Sequence, residues 1–191
     1  MVITLIKNIK NAVNHLKTIC IHKKWVMYYC TIAGIPIQGL VHDLSKFSPT
    51  EFCESVKYYT GTCSPIDMCK KGKGVSQAWL HHKGKNKHHY EYWQDNFDKG
   101  GQSLQMPFKY AVEMVCDYLA AGRAYMKDKF SYAEEYVWWQ NKISKGIAMH
   151  PQTKSFVDTV LKRLVTCDEK QTLSYDNLVF LYKLCETQHE M

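Results

Sequence analysis

Apolar residues recur three and four positions apart through most of the 191-residue sequence, and alternation with a period of two is nearly absent. The first pattern is typical of amphipathic α-helices, and the second is typical of half-buried strands. The sequence therefore predicts an all-α fold, a single-domain bundle of six to eight helices over residues 1–191. The chain is long enough to bury a core and too short to require a second domain.

Capping and breaking residues place the predicted helices along the chain. Ser48, Pro49 and Glu51 fit a capping box with proline at the first helical position, and Ser131 with Glu134 repeats the box. Glycine and proline make residues 60–74 a predicted loop. The predicted helices cover about 3–18, a second segment carrying His22, and about 37–46, 48–59, 75–83 and 107–127, with further helices starting at Ser131 and Pro151 and a last one at 173–185.

Charge and composition narrow the classes of partner. The formal net charge of +7 favours an anionic partner, whether a nucleotide, a phosphorylated small molecule or nucleic acid. The sequence has no 18-residue apolar run, and its eight cysteines form no CxxC pair, so we expect a cytoplasmic protein without a membrane partner. The densest basic patch comprises Lys70, Lys71, Lys73, Lys83, Lys85 and Lys87.

An apolar approach over residues 37–41 runs directly into the adjacent His42 and Asp43. Buried polar side chains cost roughly 1–3 kcal/mol each unless a partner satisfies them. Asp117 poses the same problem, because its neighbours at helical spacing are largely apolar. With His22 on an earlier helix, these residues predict a site for a divalent metal, for which Mn, Fe, Ni, Co, Zn and Mg are candidates.

A second cluster, WLHHKGKNKHHYEYW, occupies residues 79–93 and contains four histidines. Two interpretations stay open. The cluster binds a second metal bridged to the first through Asp43, or it contacts substrate phosphate. Metal binding would fall to His82 and His88, and substrate contact to Lys83, Asn86 and His89.

The order of these residues resembles the HD-domain metal-dependent phosphohydrolase superfamily, whose pattern is H…HD…(H…H)…D. The resemblance covers about residues 15–125, and we expect C-terminal helices over about 131–187 to pack on that core. The run HDLSK is similar to HDIGK of the cyclic-dinucleotide phosphodiesterase branch, where the lysine lies near substrate phosphate. More closely, HDLSKFSPTEF, HxxxNxHH and EMVCDYLAAGR resemble a small uncharacterised bacterial and phage family, sometimes mislabelled as catalase, which implies no activity.

The resemblance implies a set of metal ligands and two departures from the superfamily. One departure is Lys46, which stands where the nucleotidase-like branch has a glutamate, so monophosphate nucleotidase activity is disfavoured. The other is the close spacing of the histidines in the second cluster, which leaves the number of metals, one or two, open. The implied ligands are His22, His42, Asp43 and Asp117, with His82 and His88 in the region of additional ligands.

The expected activity is hydrolysis of a nucleotide or phosphodiester by metal-activated water, an enzymatic function. Asp43, Lys46, His82 and His88 are the candidate catalytic residues. Lys46, with Arg123 as a second candidate, would stabilise negative charge, while a histidine of the second cluster protonates the leaving oxygen.

Two alternatives come from other classes of function. One is a basic helical module that binds a nucleotide or nucleic acid around a structural metal without turnover, and the other is an HD-like di-iron oxygenase. Homo-oligomerisation stays open. Six aromatic residues at helical spacing are predicted to pack in the core, with Tyr90 and Trp93 as the best candidates for stacking on a nucleobase: Trp79, Tyr90, Tyr92, Trp93, Trp138 and Trp139.

Overall fold

Helices form most of the structure. The computed structural model describes residues 2–187, of which residues 2–5 are described by their backbone alone. Helices account for 76% of it, which confirms the prediction of a mostly α-helical single domain. In the described chain the α-helices are α1 (Val2–Ile32), α2 (Pro36–Val41), α3 (Pro49–Tyr58), α4 (Pro65–Lys73), α5 (Gln77–Lys85), α6 (Phe108–Met126), α7 (Tyr132–Ile143), α8 (Pro151–Thr166), α9 (Glu169–Thr172) and α10 (Tyr175–Thr187). A small antiparallel hairpin, β1 (Gln94–Asp95) and β2 (Gln102–Ser103), interrupts them.

The ten helices of the described chain exceed the predicted six to eight. The first two predicted helices are one, because α1 continues without a break from residue 2 to residue 32. The predicted loop over residues 60–74 instead contains α4, with Pro65 at its start and Gly74 in the left-handed region at its end. Proline begins this short helix and glycine ends it, whereas the sequence-based prediction takes the same two residue types as signs of a loop.

Both predicted capping boxes begin helices, as the sequence indicated. Ser48 accepts a hydrogen bond from the backbone N–H of Glu51 at the start of α3, and Ser131 accepts one from the N–H of Glu134 at the start of α7. Each bond satisfies a backbone donor that the first helical turn leaves unpaired. Only the serine half of the first box is used, because the Glu51 side chain turns elsewhere.

Helix α6 lies at the centre of the core. Its apolar side chains are buried almost all round, which is typical of a helix packed on several sides. It packs against α1, α8 and α10, and burying each large apolar side chain contributes roughly 1.5–3 kcal/mol. The core side chains from these helices include Val26, Tyr29, Val112, Met114, Leu119, Phe156, Leu161 and Leu178.

Two properties bear on the surroundings of the chain. No helix among the described residues has both the length and the apolar character that crossing a bilayer requires. All eight cysteines are unpaired. The cytoplasmic location stays a prediction.

Close packing of α2 on α1 fixes where the adjacent His42 and Asp43 lie. Gly39 of α2 is buried, and a Cβ built there would be 2.9 Å from Cys30 Cβ and 3.1 Å from Met27 Cα on α1. The two helices can approach this closely only because residue 39 has no side chain.

Gly39→Ala is expected to lower the free energy of unfolding by about 1–3 kcal/mol, because the added methyl group overlaps α1. Gly84→Ala is the matched control, since a Cβ at this helical position of α5 meets nothing within 4 Å. We expect it to be neutral or to stabilise by up to about 1 kcal/mol. Urea unfolding of both variants checks the prediction, and equal losses would contradict it.

Candidate metal centre

Four parts of the fold bring the predicted ligands together. Helix α1 carries His22, the end of α2 leads into His42 and Asp43, α5 and the segment after it carry the second cluster, and α6 carries Asp117. The structure thus brings together six predicted ligands: His22, His42, Asp43, His82, His88 and Asp117. All six side chains are buried, although the first and the last lie almost 100 residues apart in the sequence.

The first group consists of His22, His42, Asp43 and Asp117. Nε2 of His22 lies 3.1 Å from Asp117 Oδ1, and Nε2 of His42 lies 3.3 Å from Asp43 Oδ2 and 3.4 Å from Asp117 Oδ1. Two ligands on metal bonds of about 2.1 Å lie about 3.0–3.4 Å apart, so the group has the spacing of a coordination shell.

The second group consists of Asp43, His82, His88 and His89. Nε2 of His82 and Nε2 of His88 lie 3.3 and 3.5 Å from Asp43 Oδ1. Asp43 is common to both groups, and it turns Oδ2 towards the first and Oδ1 towards the second. The same carboxylate therefore lies between two sets of imidazoles, an arrangement compatible with the interpretation in which Asp43 bridges two metals.

The backbone at Asp43 aims its side chain into the cluster. Its φ of 54° and ψ of 27° lie in the left-handed region, which a residue other than glycine seldom adopts. Such a conformation costs on the order of 1–3 kcal/mol, and residues that adopt it cluster at functional sites. It lets the chain turn sharply from α2 into the 3-10 helix Leu44–Phe47 while the carboxylate stays buried.

Several buried polar atoms of the cluster have no hydrogen-bond partner among the described residues. They are both carboxylate oxygens of Asp43, Nε2 of His88 and Nε2 of His89. Nζ of Lys46 lies 2.6 Å from Asp43 Oδ2, which gives an ion pair, although the two groups are not aligned as a hydrogen bond. Buried polar atoms are normally satisfied, so these unpartnered nitrogen and oxygen atoms fit divalent cations as their missing partners.

The charges of the first group suit a cation. Burial by itself would raise the pKa of Asp43, but His42 and Lys46 hold that pKa well below its usual range. Burial likewise opposes ionisation of Asp117, and hydrogen bonds from His22 and His42 nevertheless hold its pKa well below the usual range. Both carboxyl groups are therefore ionised at neutral pH, as metal ligation requires.

Glu113 contacts His42 and His88 through their Nδ1 atoms, the ring nitrogens that do not face the carboxylate oxygens of Asp43. Nδ1 of His42 and Nδ1 of His88 donate to its Oε1 over 2.9 and 3.2 Å. Once a metal replaces any proton on Nε2, a carboxylate on Nδ1 holds the imidazole in the tautomer that ligates through Nε2. Sequence reasoning missed this residue, although Glu113 lies one helical turn before Asp117 and therefore on the same face of α6.

Glu51 orients two histidines of the second cluster in the same way, by accepting hydrogen bonds from their Nδ1 atoms. Its two oxygens accept from Nδ1 of His82 at 2.7 Å and Nδ1 of His81 at 2.6 Å. The capping interpretation concealed this role, because Glu51 is also the third helical residue of α3. Its side chain bonds to the histidines rather than to the Ser48 backbone.

Neither Asn86 nor Lys83, two predicted substrate contacts, is among the described residues that line the cavity beside the cluster. The Asn86 amide donates to Ser45 Oγ at 2.7 Å and to the His82 carbonyl at 2.8 Å, so it holds the end of α5 against the 3-10 helix. Lys83 is absent from the described lining of the cavity discussed below.

Arg123 also lies outside that cavity. Its Nε donates to Tyr29 Oη at 2.7 Å, and Nη2 lies 3.6 Å from a Glu169 carboxylate oxygen. The guanidinium carbon is 4.6 Å from the ring centre of Trp25 and 4.5 Å from that of Phe130. These contacts join α6 to α1, to α9 and to the segment just before α7, which indicates a structural role and not the predicted contact with substrate.

A cavity of about 520 Å³ opens beside the candidate metal-binding groups. Its described lining includes His22, Lys46 and Asp117. Of the six aromatic residues considered for stacking, Trp79 and Trp138 line it, whereas the favoured candidates, Tyr90 and Trp93, pack against the core. The volume suits a small organic ligand.

Glu113→Gln is expected to weaken binding of Mn²⁺ by about 10- to 100-fold, because a neutral amide oxygen accepts from Nδ1 of His42 and His88 more weakly than a carboxylate and no longer raises their basicity. Glu54→Gln is the control. Glu54 accepts hydrogen bonds at the start of α5 and contacts no imidazole, so that variant should lose stability but keep its Mn²⁺ affinity. Isothermal titration with MnCl₂ measures both, and unchanged binding by Glu113→Gln would contradict the assignment.

Comparisons with known proteins place the chain in a family. A scan against family models matches residues 11–163 to DUF5662, described as a family of unknown function. Searches of curated proteins and of solved structures each found no match. Because the matched segment covers most of the sequence, the chain belongs to the DUF5662 family, and the segment contains all the residues of the candidate metal centre.

Proposed function

We propose that this protein is a metal-dependent phosphohydrolase that acts on a nucleotide or phosphodiester, with divalent cations held on both sides of Asp43. The observation that carries the proposal is the division of the Asp43 carboxylate between two groups of imidazoles, with Oδ2 towards His42 and Oδ1 towards His82 and His88. A bridging carboxylate is typical of sites with two metals, where paired cations clamp a phosphate.

The resemblance to the HD-domain superfamily supports the same proposal from the sequence. It rests on the order of ligands and on HDLSK, which are independent of the distances. The geometry adds Glu51 and Glu113 as the groups that orient the histidines. We therefore favour two metals over one.

The side chains around the site have distinct roles in this proposal. Divalent cations bound there would acidify water for attack on phosphorus and offset the charge of the phosphate. Lys46 lines the cavity, and although burial opposes its charge, Asp43 and Asp117 raise its pKa, so its ammonium group stays protonated to bind a phosphate oxygen. Because both ring nitrogens of His82 and His88 face carboxylates, we assign them as ligands and not as proton donors.

A second candidate is a di-iron oxygenase, since a bridging carboxylate with histidine ligands also suits iron. The two functions differ in cofactor and in co-substrate. Iron in the purified protein together with consumption of O₂ would favour the oxygenase. Hydrolysis under anaerobic conditions with Mn²⁺ favours the phosphohydrolase.

Asp43→Asn is expected to weaken Mn²⁺ binding at least about 100-fold and to reduce hydrolysis of bis(p-nitrophenyl) phosphate to background, because the bridging anion is lost. Asp98→Asn, at an exposed position of the 3-10 helix Phe97–Lys99, is the control that should leave both unchanged. Metal titration and a chromogenic assay with Mn²⁺, Ni²⁺, Co²⁺ or Mg²⁺ measure the effects. A variant at residue 43 that binds no metal yet keeps its activity would refute the proposal.

Lys46→Ala separates phosphate binding from metal binding. We expect turnover to fall by about 100-fold, since a charge that stabilises the transition state is removed. Mn²⁺ affinity should stay the same or rise, because the ammonium group no longer competes for Asp43 Oδ2. Lys57→Ala, on an exposed part of α3, should change neither quantity. Loss of metal binding in Lys46→Ala would contradict this role.

A further inference from the structure

Glu135 of α7 is a buried carboxyl group that the proposed mechanism does not use. Its exposed fraction is 3%, and it lines the same cavity as the metal-binding groups. No hydrogen bond or ion pair to its carboxyl group occurs among residues 6–187, the part whose side chains are described. A buried carboxyl group without a partner is unfavourable for stability.

Gly122 is a second feature that is unfavourable for stability, and its lack of a side chain leaves room for the Glu135 carboxyl group. Gly122 lies inside α6, and a Cβ built there would overlap Glu135 Oε2 and approach two ring carbons of Phe130 at 2.8 and 2.9 Å. Glycine inside a helix is less stable than alanine. A wall packed for stability alone would carry neither an unpaired carboxyl group nor this glycine, so their coincidence at the cavity points to a ligand.

The carboxyl group lies too far along α6 to bind the same metals. Gly122 is five residues beyond Asp117, which is a rise of about 7.5 Å along the helix axis. One cavity connects the two positions. A ligand whose phosphate occupies the metal-binding end therefore extends towards Glu135 with its organic part.

The surroundings of Glu135 select the chemistry of that organic part. Burial and the charge of Asp117 raise the pKa of Glu135 to about 8, and Lys142 opposes the shift. The titratable groups that face it are Asp117 and Tyr118 on α6 and Lys142 on its own helix. An uncharged carboxyl group both donates and accepts a hydrogen bond, so it matches a neutral polar group.

We infer that Glu135 is a specificity-determining residue that binds an uncharged polar group on the organic part of a phosphate ester, across the cavity from Lys46 and Asp117. This inference rests on the proposed function. The shared chemistry, a neutral donor and acceptor, is offered both by sugar hydroxyls and by a nucleobase. The probes below distinguish these two sources.

Binding to the Mn²⁺-loaded protein tests the inference without turnover. The probes are methyl phosphate, ribose 5-phosphate and adenosine 5′-monophosphate, measured at pH 6.5 by calorimetry. Glu135→Leu should weaken at least one of the two larger esters tenfold or more while leaving methyl phosphate and Mn²⁺ within twofold. Glu135→Gln should stay within threefold for all, because an amide also donates and accepts. Loss for ribose 5-phosphate assigns the contact to the sugar, and loss for the nucleotide alone assigns it to the base.

Other outcomes overturn the inference. The inference fails if the wild type binds methyl phosphate as tightly as both larger esters. It also fails if Glu135→Leu leaves the affinity for all three esters unchanged, or if it weakens binding of methyl phosphate as much as binding of the larger esters. Glu134→Leu, at the neighbouring exposed position, is the matched control and should bind like the wild type. Failure of the wild type to bind Mn²⁺ would instead refute the proposed function.

Thermal unfolding of the metal-free protein tests Glu135 separately. Because the pKa is raised on folding, the wild type loses stability as pH rises from about 4.5 towards about 8. Glu135→Gln should therefore have a higher Tm than the wild type, by a margin larger at pH 8 than at pH 5. A lower Tm at both values would show that the carboxyl group serves packing and would overturn the inference.

Discussion

The site depends on one buried anion. The Asp43 carboxylate lies within 3.5 Å of the imidazoles of His42, His82 and His88, and the Lys46 ammonium group forms an ion pair with it at 2.6 Å. A buried charge is stable only when opposite charge compensates it. The left-handed backbone at residue 43, the close packing of α2 on α1 and the position of Asp117 on α6 all serve to hold this group in place.

Around that anion the structure has an inner layer and an outer layer. The inner layer presents Nε2 atoms and carboxylate oxygens to the space beside Asp43, and the outer layer consists of Glu51 and Glu113, which each accept from two histidines. The outer glutamates belong to two different helices, Glu51 to α3 and Glu113 to α6. The orientation of the imidazoles is thus fixed by the helices themselves, which favours a preorganised site over one that forms only when metal binds.

Sequence reasoning found the inner layer because its signals are local. His42 and Asp43 follow an apolar run, and Asp117 interrupts an apolar helix face, so each stands out without any knowledge of the fold. Glu51 and Glu113 were missed because their partners are 31 and 71 residues away, and because the capping pattern already explained Glu51. Helix type was predicted well from periodicity, whereas the fusion of the first two helices and the short helix α4 depend on packing that periodicity does not report. The placement of Arg123 in a structural network follows from aromatic neighbours on α1 and α7 and in the segment just before α7, contacts that the sequence alone does not reveal.

Anomalous diffraction from crystals grown with MnCl₂ tests the central claim most directly. The account predicts two peaks for each chain, one beside Asp43 Oδ2 and the other beside Asp43 Oδ1, with the Lys46 ammonium displaced from the carboxylate. Crystals that show no peak in the cluster, with the Lys46 ion pair intact, would contradict it.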